Sequence, residues 1–209
     1  MVTDRQTALR KGRARTRVLA VALLGLSLGA CSLIAPAEAP RNTYELTAPD
    51  TFPGLRSGSR SQVLVKLPNA LKSIDSDRIL VRESDREVTY LAGVQWTDTV
   101  PRLVQTKLVE ALENSEAVGA AAKPGDGLVI DYQMISEIRR FEIQAVGNRR
   151  AIIEISIKLL SDRSGRVVAT RIFQSSAPAP IDAADTIDAL DNAFDQIARE
   201  IVGWIVRQS

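Results

Sequence analysis

The sequence predicts an α/β chain of the α+β kind: a single domain with a mainly antiparallel sheet and two amphipathic helices packed on it. Three observations carry this. Between Leu128 and Phe173, apolar and polar residues alternate along three consecutive stretches joined by short turns, the pattern of an antiparallel meander with one wet face. From Val100 to Leu112, and again from Ile187 to Trp204, apolar residues recur at steps of three and four, the period of a helix. No strand–helix–strand alternation runs through the chain to force a parallel sheet.

In order, residues 1–30 come first. Arg5, Arg10, Lys11, Arg13, Arg15 and Arg17 stand against one acid, Asp4, and precede an uncharged stretch from Val18 rich in Leu, Val and Ala. A basic segment, an apolar run and small residues before a cleavage point make a secretory signal peptide. Leu28, Gly29 and Ala30 lead into Cys31, the single cysteine of the chain. This arrangement resembles the signal of a bacterial lipoprotein. The resemblance implies that Cys31 is acylated, carries N-acyl and S-diacylglycerol chains, and becomes the mature N-terminus. One acyl chain holds a protein at a membrane only marginally, and stable anchoring takes two signals. Three chains on one residue therefore make a lasting anchor. Two other readings stay open. One is an uncleaved membrane helix, since Val18 to Ala37 is uncharged and long enough to span a bilayer. The other is a plain secretion signal with an incidental cysteine. Gly25, Ser27, Gly29, Ser32 and Pro36 weigh against a stable helix in the second half of that run.

Charge and composition then narrow the function. The whole chain has a formal net charge of +2, but the signal peptide holds most of the basic surplus. Residues 31–209 carry 21 basic and 24 acidic side chains, a net of −3, so nucleic acid is not an expected partner. The chain has no histidine, and its one cysteine is committed to lipid. Disulfides within the chain, Ser-His-Asp and Cys-His nucleophiles, and His/Cys zinc sites are excluded. No catalytic residue, metal ligand or cofactor beyond the acyl chains is assigned, and the chain is not expected to be an enzyme.

Residues 31–43, with Pro36, Pro40 and several alanines, read as a lipidated tether that extends at most ~40 Å. The domain proper is expected over 44–209. Tyr44 to Leu46 alternates as a short strand, and Ala48 to Ser61, with Pro53, Gly54 and Gly58, is loop. Gln62 to Leu67 is a strand stopped by Pro68. Ile79–Arg82 and Val88–Leu91 flank the polar turn Glu83–Glu87 and read as a hairpin. The first helix is expected to start near Thr97 or Asp98, which can cap it, with Pro101 tolerated in the first turn. In the meander, the apolar phase slips by one across Arg139-Arg140, which predicts a bulge. Ala151 to Leu159 follows, then the turn Asp162–Gly165 and a third strand from Val167 to Phe173. Asp182 and Asp185 open the last helix, where negative charge meets the positive end of its dipole.

This order of features resembles the ABC-type transport auxiliary lipoproteins, the group that includes paraquat-inducible protein C. The residues that carry it are the segment Leu28–Cys31, Tyr44-x-Leu46, and Trp96-x-Asp98 with Pro101 leading into a helix. The stretch from Tyr132 through Phe141-Glu142 to Leu159 follows, then Ser161-Asp162, Gly165, Arg171-x-Phe173 and the terminal helix. Each motif is weak alone; their order and spacing make the case. The resemblance implies a non-enzymatic periplasmic docking piece beside an ABC transporter and its MCE (mammalian cell entry) protein. It further implies cargo such as phospholipid, frequent homo-oligomers, and attachment at the outer membrane of a diderm bacterium. Ser32 after the cysteine, in place of an aspartate, agrees with outer-membrane sorting of the enteric type.

Two residue groups have both a functional and an ordinary reading. Trp96 is either a partner-contact anchor or a plug between helix and sheet. Arg139, Arg140, Arg149 and Arg150 bracket Phe141 to Asn148. They either grip phosphate headgroups or an acidic partner patch, or they solvate a hairpin end beside Glu137 and Glu142. Asp182, Asp185, Asp188 and Asp191 fit helix capping better than a cation site, since no Gly-containing calcium loop surrounds them. Besides the auxiliary lipoprotein, an envelope assembly factor aiding an outer-membrane protein fits the same anchor and domain. A hydrolase using carboxylates alone has no positive support.

Overall fold

The computed structural model describes residues 40–55 and 60–208. The signal peptide and most of the tether, with Leu28, Gly29, Ala30 and Cys31, lie outside the described residues. In chain order the described elements are β1 (Asn42–Tyr44), β2 (Gln62–Val65), β3 (Asn69–Ala70), β4 (Leu80–Arg82), β5 (Val88–Tyr90) and β6 (Val94–Trp96). Then come α1 (Val100–Asn114), β7 (Ala120–Ala122), β8 (Tyr132–Gln144), β9 (Arg150–Ser161), β10 (Arg166–Pro178) and α2 (Ala183–Gln208).

Strand β8 is the spine. Its 13 residues pair antiparallel with β9 along one edge, and β9 pairs antiparallel with β10. These are the three alternating stretches of the sequence, except that β8 begins at Tyr132 and leaves Leu128 exposed before it, and the bulge falls where the apolar phase slips, between Ile138 and Arg140. Along its other edge β8 receives three short strands in succession, all parallel to it. β2 lies against Tyr132–Met134, β3 against Glu137–Ile138 and β4 against Glu142–Gln144. β7 adds outside β2, also parallel, and β5 closes a hairpin on β4. The eight-stranded sheet is therefore mixed, where the sequence pointed only to a mainly antiparallel one. The parallel partners are far apart in the chain: the Gln62 N–H that meets the Asp131 carboxylate spans 69 residues. No short turn announces such pairs.

β1 pairs parallel with β6 in a separate two-stranded ribbon, matching Tyr44 to Trp96. β2 ends at Val65, two residues short of the expected Leu67, and Lys66, Leu67 and Pro68 separate it from β3. The N-cap of helix α1 lies one residue after Asp98 and two after Thr97, the two predicted caps. Thr99 is its N-cap without a side-chain bond, while the Asp98 carboxylate accepts the Thr99 N–H at 2.7 Å. Pro101 sits in the first turn, where a missing N–H costs little. Gln105 is buried on this helix because its Nε2 donates to the Val65 carbonyl at 2.9 Å, tying α1 to β2.

Helix α2 is capped as its sequence predicts: the Asp182 carboxylate accepts the N–H groups of Ala184 at 2.9 Å and Asp185 at 3.3 Å. Its stripe of Ile187, Leu190, Phe194, Ile197, Ile201 and Trp204 is buried against β8, β9 and β10. The sheet meets it with Ile138, Ile153, Ile155, Ile157 and Phe173, none more than 1 % exposed. Each such side chain withdrawn from water contributes about 1.5–3 kcal/mol, which makes this layer the main source of stability. Phe173 and Trp204 pack edge to face at 5.5 Å between ring centroids. Among the described residues no helix is long and apolar enough to cross a membrane.

Candidate functional site

The face of the sheet turned away from α2 is where the charged residues gather. The β-strand alternation that sends Phe141 and Ile143 into the core points Arg140, Glu142 and Gln144 to this other face. Glu142 is wholly buried there, which needs an explanation, because an ionised carboxylate withdrawn from water must be paired. Arg82, brought alongside by the parallel β4–β8 register, donates Nε and Nη2 to its two oxygens, both at 2.8 Å. Arg140 donates Nε to Oε1 at 2.8 Å and Nη2 to Gln144 at 2.9 Å. Burial alone would push the Glu142 pKa up. The hydrogen bonds from Arg82 and Arg140, with their charges, outweigh it and hold the carboxyl below its ordinary value. The same Glu142 contact raises the already high Arg82 pKa, against the opposing cost of burial.

A cleft of about 430 Å³ opens beside this triad, lined by Arg82, Ser84, Asp85, Arg140, Gln144 and Val146. Two guanidinium and two carboxylate groups, Glu142 and Asp85, meet around it. It has no surplus of charge to offer a phosphate. The triad is a clamp between β4 and β8.

The four arginines of the β8–β9 region do not form one patch. Arg139, at the bulge, pairs with Glu137 at 3.4 Å and Glu154 at 3.6 Å, while Arg140 belongs to the triad. Arg149 donates to the Ala179 and Pro180 carbonyls and to the Thr186 hydroxyl, bracing the entry to α2. Arg150 donates to Ser176 across the β9–β10 pair, at 2.8 Å to its hydroxyl. Trp96 is 1 % exposed and packs edge to face on Phe141 at 6.1 Å, so it presents no surface to a partner. Its indole N–H is buried without a hydrogen-bond partner. Of the four helix aspartates, Asp182 caps α2, and Asp191 accepts the backbone N–H and the hydroxyl of Thr47 at 2.7 and 2.6 Å.

The sequence reading missed two features. Arg82 lies 60 residues from Glu142, in a short hairpin strand with no distinctive neighbours. The second is the free outer edge of β10. That strand runs 13 residues to Pro178, past the predicted end at Phe173, and among the described residues has no neighbour beyond it in the sheet. Val167, Val168 and Ile172 stand about half exposed along it, at 50 %, 48 % and 51 %. A long free edge with apolar side chains is a ready template for another chain. The β-bulge between Val167 and Ala169, and Pro178 at the end, blunt only its extremities.

With this architecture in place, comparison with known proteins decides the family. The model of the ABC-type transport auxiliary lipoprotein component family matches residues 44–202. The chain belongs to this family. A crystal structure of the protein XCC0632 from Xanthomonas campestris is 32 % identical and superposes with a TM-score of 0.73, covering 80 % of this chain and 96 % of that one. A second solved structure, of a protein without assigned function, is 14 % identical with a TM-score of 0.63 over 79 % of this chain and 99 % of its own, and shares the fold. The protein bll6063 of Bradyrhizobium diazoefficiens is 30 % identical over 171 residues, 81 % of this chain and 46 % of its own length. The chain thus spans about half of that relative. The matched residues run from Tyr44, the last residue of β1, through α1 and the whole meander and into most of α2.

Proposed function

We propose that this auxiliary lipoprotein is held by acyl chains on Cys31 at the outer membrane of a diderm bacterium. There, on the periplasmic side, it docks an MCE-domain protein to help its ABC transporter move phospholipid or another hydrophobic cargo. It performs no chemistry of its own and takes no cofactor. The family match over residues 44–202 is the observation that carries this reading. The β10 edge supports docking by strand addition, in which main-chain hydrogen bonds give affinity and the side chains of alternate residues give specificity. Ile172, on the face away from α2, would meet the added strand.

The test is a photo-crosslinking side chain in place of Ile172, in cells that express the intact transport system. The expected product joins this chain to the MCE protein. A product made only of two copies of this chain would assign the edge to self-association and remove the docking reading. The anchor is tested separately: Cys31→Ser is expected to abolish palmitate labelling and release the protein from the membrane fraction.

A further inference from the structure

A second cleft, on the opposite side of the sheet from the Glu142 triad, has a different chemistry. The chain from Thr47 to Leu55 straps over α2: Thr47 is bonded to Asp191, and Thr51 accepts from Arg199 at 3.3 Å. Where the strap leaves the helix, a space of about 430 Å³ remains between Phe52 and Leu55 on one side and Arg171, Arg199, Gly203 and Arg207 on the other, with the Glu200 carboxylate also in its wall. Gly203 creates part of that space. A Cβ built on it would meet only the Arg207 guanidinium, at 3.4 Å, so the helix surface is notched there.

The charges around the cleft are unequally committed. Arg199 is held by Asp195 through two bonds of 2.8 and 2.9 Å, lies over the Phe52 ring at 5.6 Å, and has Asp50 nearby. Arg171 pairs loosely with Glu200 at 3.6 Å and covers the Phe173 ring at 4.7 Å. Arg207 has no acidic partner among the described residues. The negative end of the α2 dipole opposes an anion at this place, but it amounts to roughly half a charge spread over the last turn, against the full charge of Arg207. A guanidinium with no acidic partner among the described residues, beside a notch walled by an aromatic and an aliphatic side chain, suits a ligand that is anionic at one end and apolar at the other.

We propose that this cleft binds a single-chain anionic amphiphile, with its phosphate head at Arg207, flanked by Arg171 and Arg199, and the first carbons of its chain in the Gly203 notch against Phe52 and Leu55. The volume admits a head and a short length of chain, in the range of small-ligand sites. The site stands on this geometry alone and does not depend on which transporter the protein serves. Trp204 follows Gly203 in the helix and meets edge to face the Phe173 ring that Arg171 covers, so its emission reports occupancy of the cleft.

The experiment titrates full-length protein in uncharged dodecyl maltoside, with Trp96→Phe to isolate the Trp204 emission, against hexyl phosphate, inorganic phosphate and hexyl glucoside. Saturable response to hexyl phosphate is expected, with weaker binding of inorganic phosphate and none of the glucoside. Arg207→Gln, a surface change, and Gly203→Leu, which fills the notch on a helix that tolerates leucine, are each expected to raise the Kd about tenfold. Binding of inorganic phosphate as tight as that of hexyl phosphate would reduce the site to a bare anion contact and overturn the proposal. So would absence of any saturable response, or an affinity unchanged in both variants.

Discussion

The two faces of the β8–β9–β10 meander solve the same burial problem by different means. Toward α2 the face is dry: Ile153, Ile155 and Ile157 of β9 are each 0 % exposed and meet a continuous helical stripe. Away from α2 the most deeply buried group among the described residues of the meander is a carboxylate, Glu142, held by two guanidinium groups. The dry face takes its stability from apolar area, which is insensitive to pH and forgiving in geometry. The charged face takes it from the match of three ions, where the attraction must first offset the cost of removing them from water. Such a cluster contributes less net stability than an apolar patch of equal size, yet removing one member is severe.

Substitutions can sharpen that contrast, beginning with the largest effect. Ile155→Ala on the dry face is expected to cost about 3–4 kcal/mol in urea unfolding, since no neighbour can collapse into the void between β9 and α2. Glu142→Ala on the charged face should cost about 3 kcal/mol. It lies at the low end for a broken buried pair, because Arg82 and Arg140 keep 30 % and 28 % of their side chains exposed to water. A smaller loss than 1 kcal/mol would show that the triad is no clamp.

The faces also differ in their response to acid. The folded pKa of Glu142 is lowered, so its contribution is fully present above the ordinary carboxylate pKa of ~4.5 and is lost as pH falls through the folded value. Unfolding midpoints measured between about pH 6 and pH 2 should fall more steeply in the native chain than in Glu142→Gln. Ile155→Ala should keep the native slope. Parallel profiles for all three proteins would break the comparison.

Smaller effects are expected from two glycines. Gly119 stands directly before β7, and a Cβ there would collide with the Arg60 carbonyl oxygen, which is backbone and cannot swing aside. Gly119→Ala should destabilise by about 1–3 kcal/mol. Gly203→Ala, in open helix, should stabilise by about 0.5–1 kcal/mol through helix propensity, measured as a rise in Tm. Equal effects of the same sign would contradict the close approach at Gly119.

Legibility in the sequence followed the same local-versus-distant division. The meander, its bulge at Arg139-Arg140 and helix α2 were readable because alternation, phase slip and a three-four stripe are properties of neighbouring residues. The end of β10 was not. Gln174-Ser175-Ser176 looks polar, yet Ser175 is buried and its hydroxyl bonds Gln196 of α2 at 3.0 Å. Parallel pairing of β2, β3 and β4 on β8 was invisible for want of a connecting turn. The arginines between 139 and 150 looked like one cluster on paper because spacing along a strand says nothing of which face each side chain takes at a bulge. Arg139 and Arg140 find carboxylates on β8 itself, whereas the partners of Arg149 and Arg150, such as the Ala179 carbonyl for Arg149, come from other elements.

Strand β2 is made early, but its hydrogen-bonding neighbours β7 and β8 leave the ribosome long after it. The β8–β9–β10 hairpins close over turns of a few residues, whereas seating β2 must enclose a loop containing α1 and four short strands, at a higher entropic cost. We therefore expect assembly to run against the direction of synthesis, with the C-terminal meander and α2 organised first and the N-terminal segment slotted in last. Pulse-labelled amide exchange during refolding would reveal this as protection at Ile155 preceding protection at Val63. Under the proposed anchoring at Cys31, that order would keep the first strands of the domain pliable until the remainder has set.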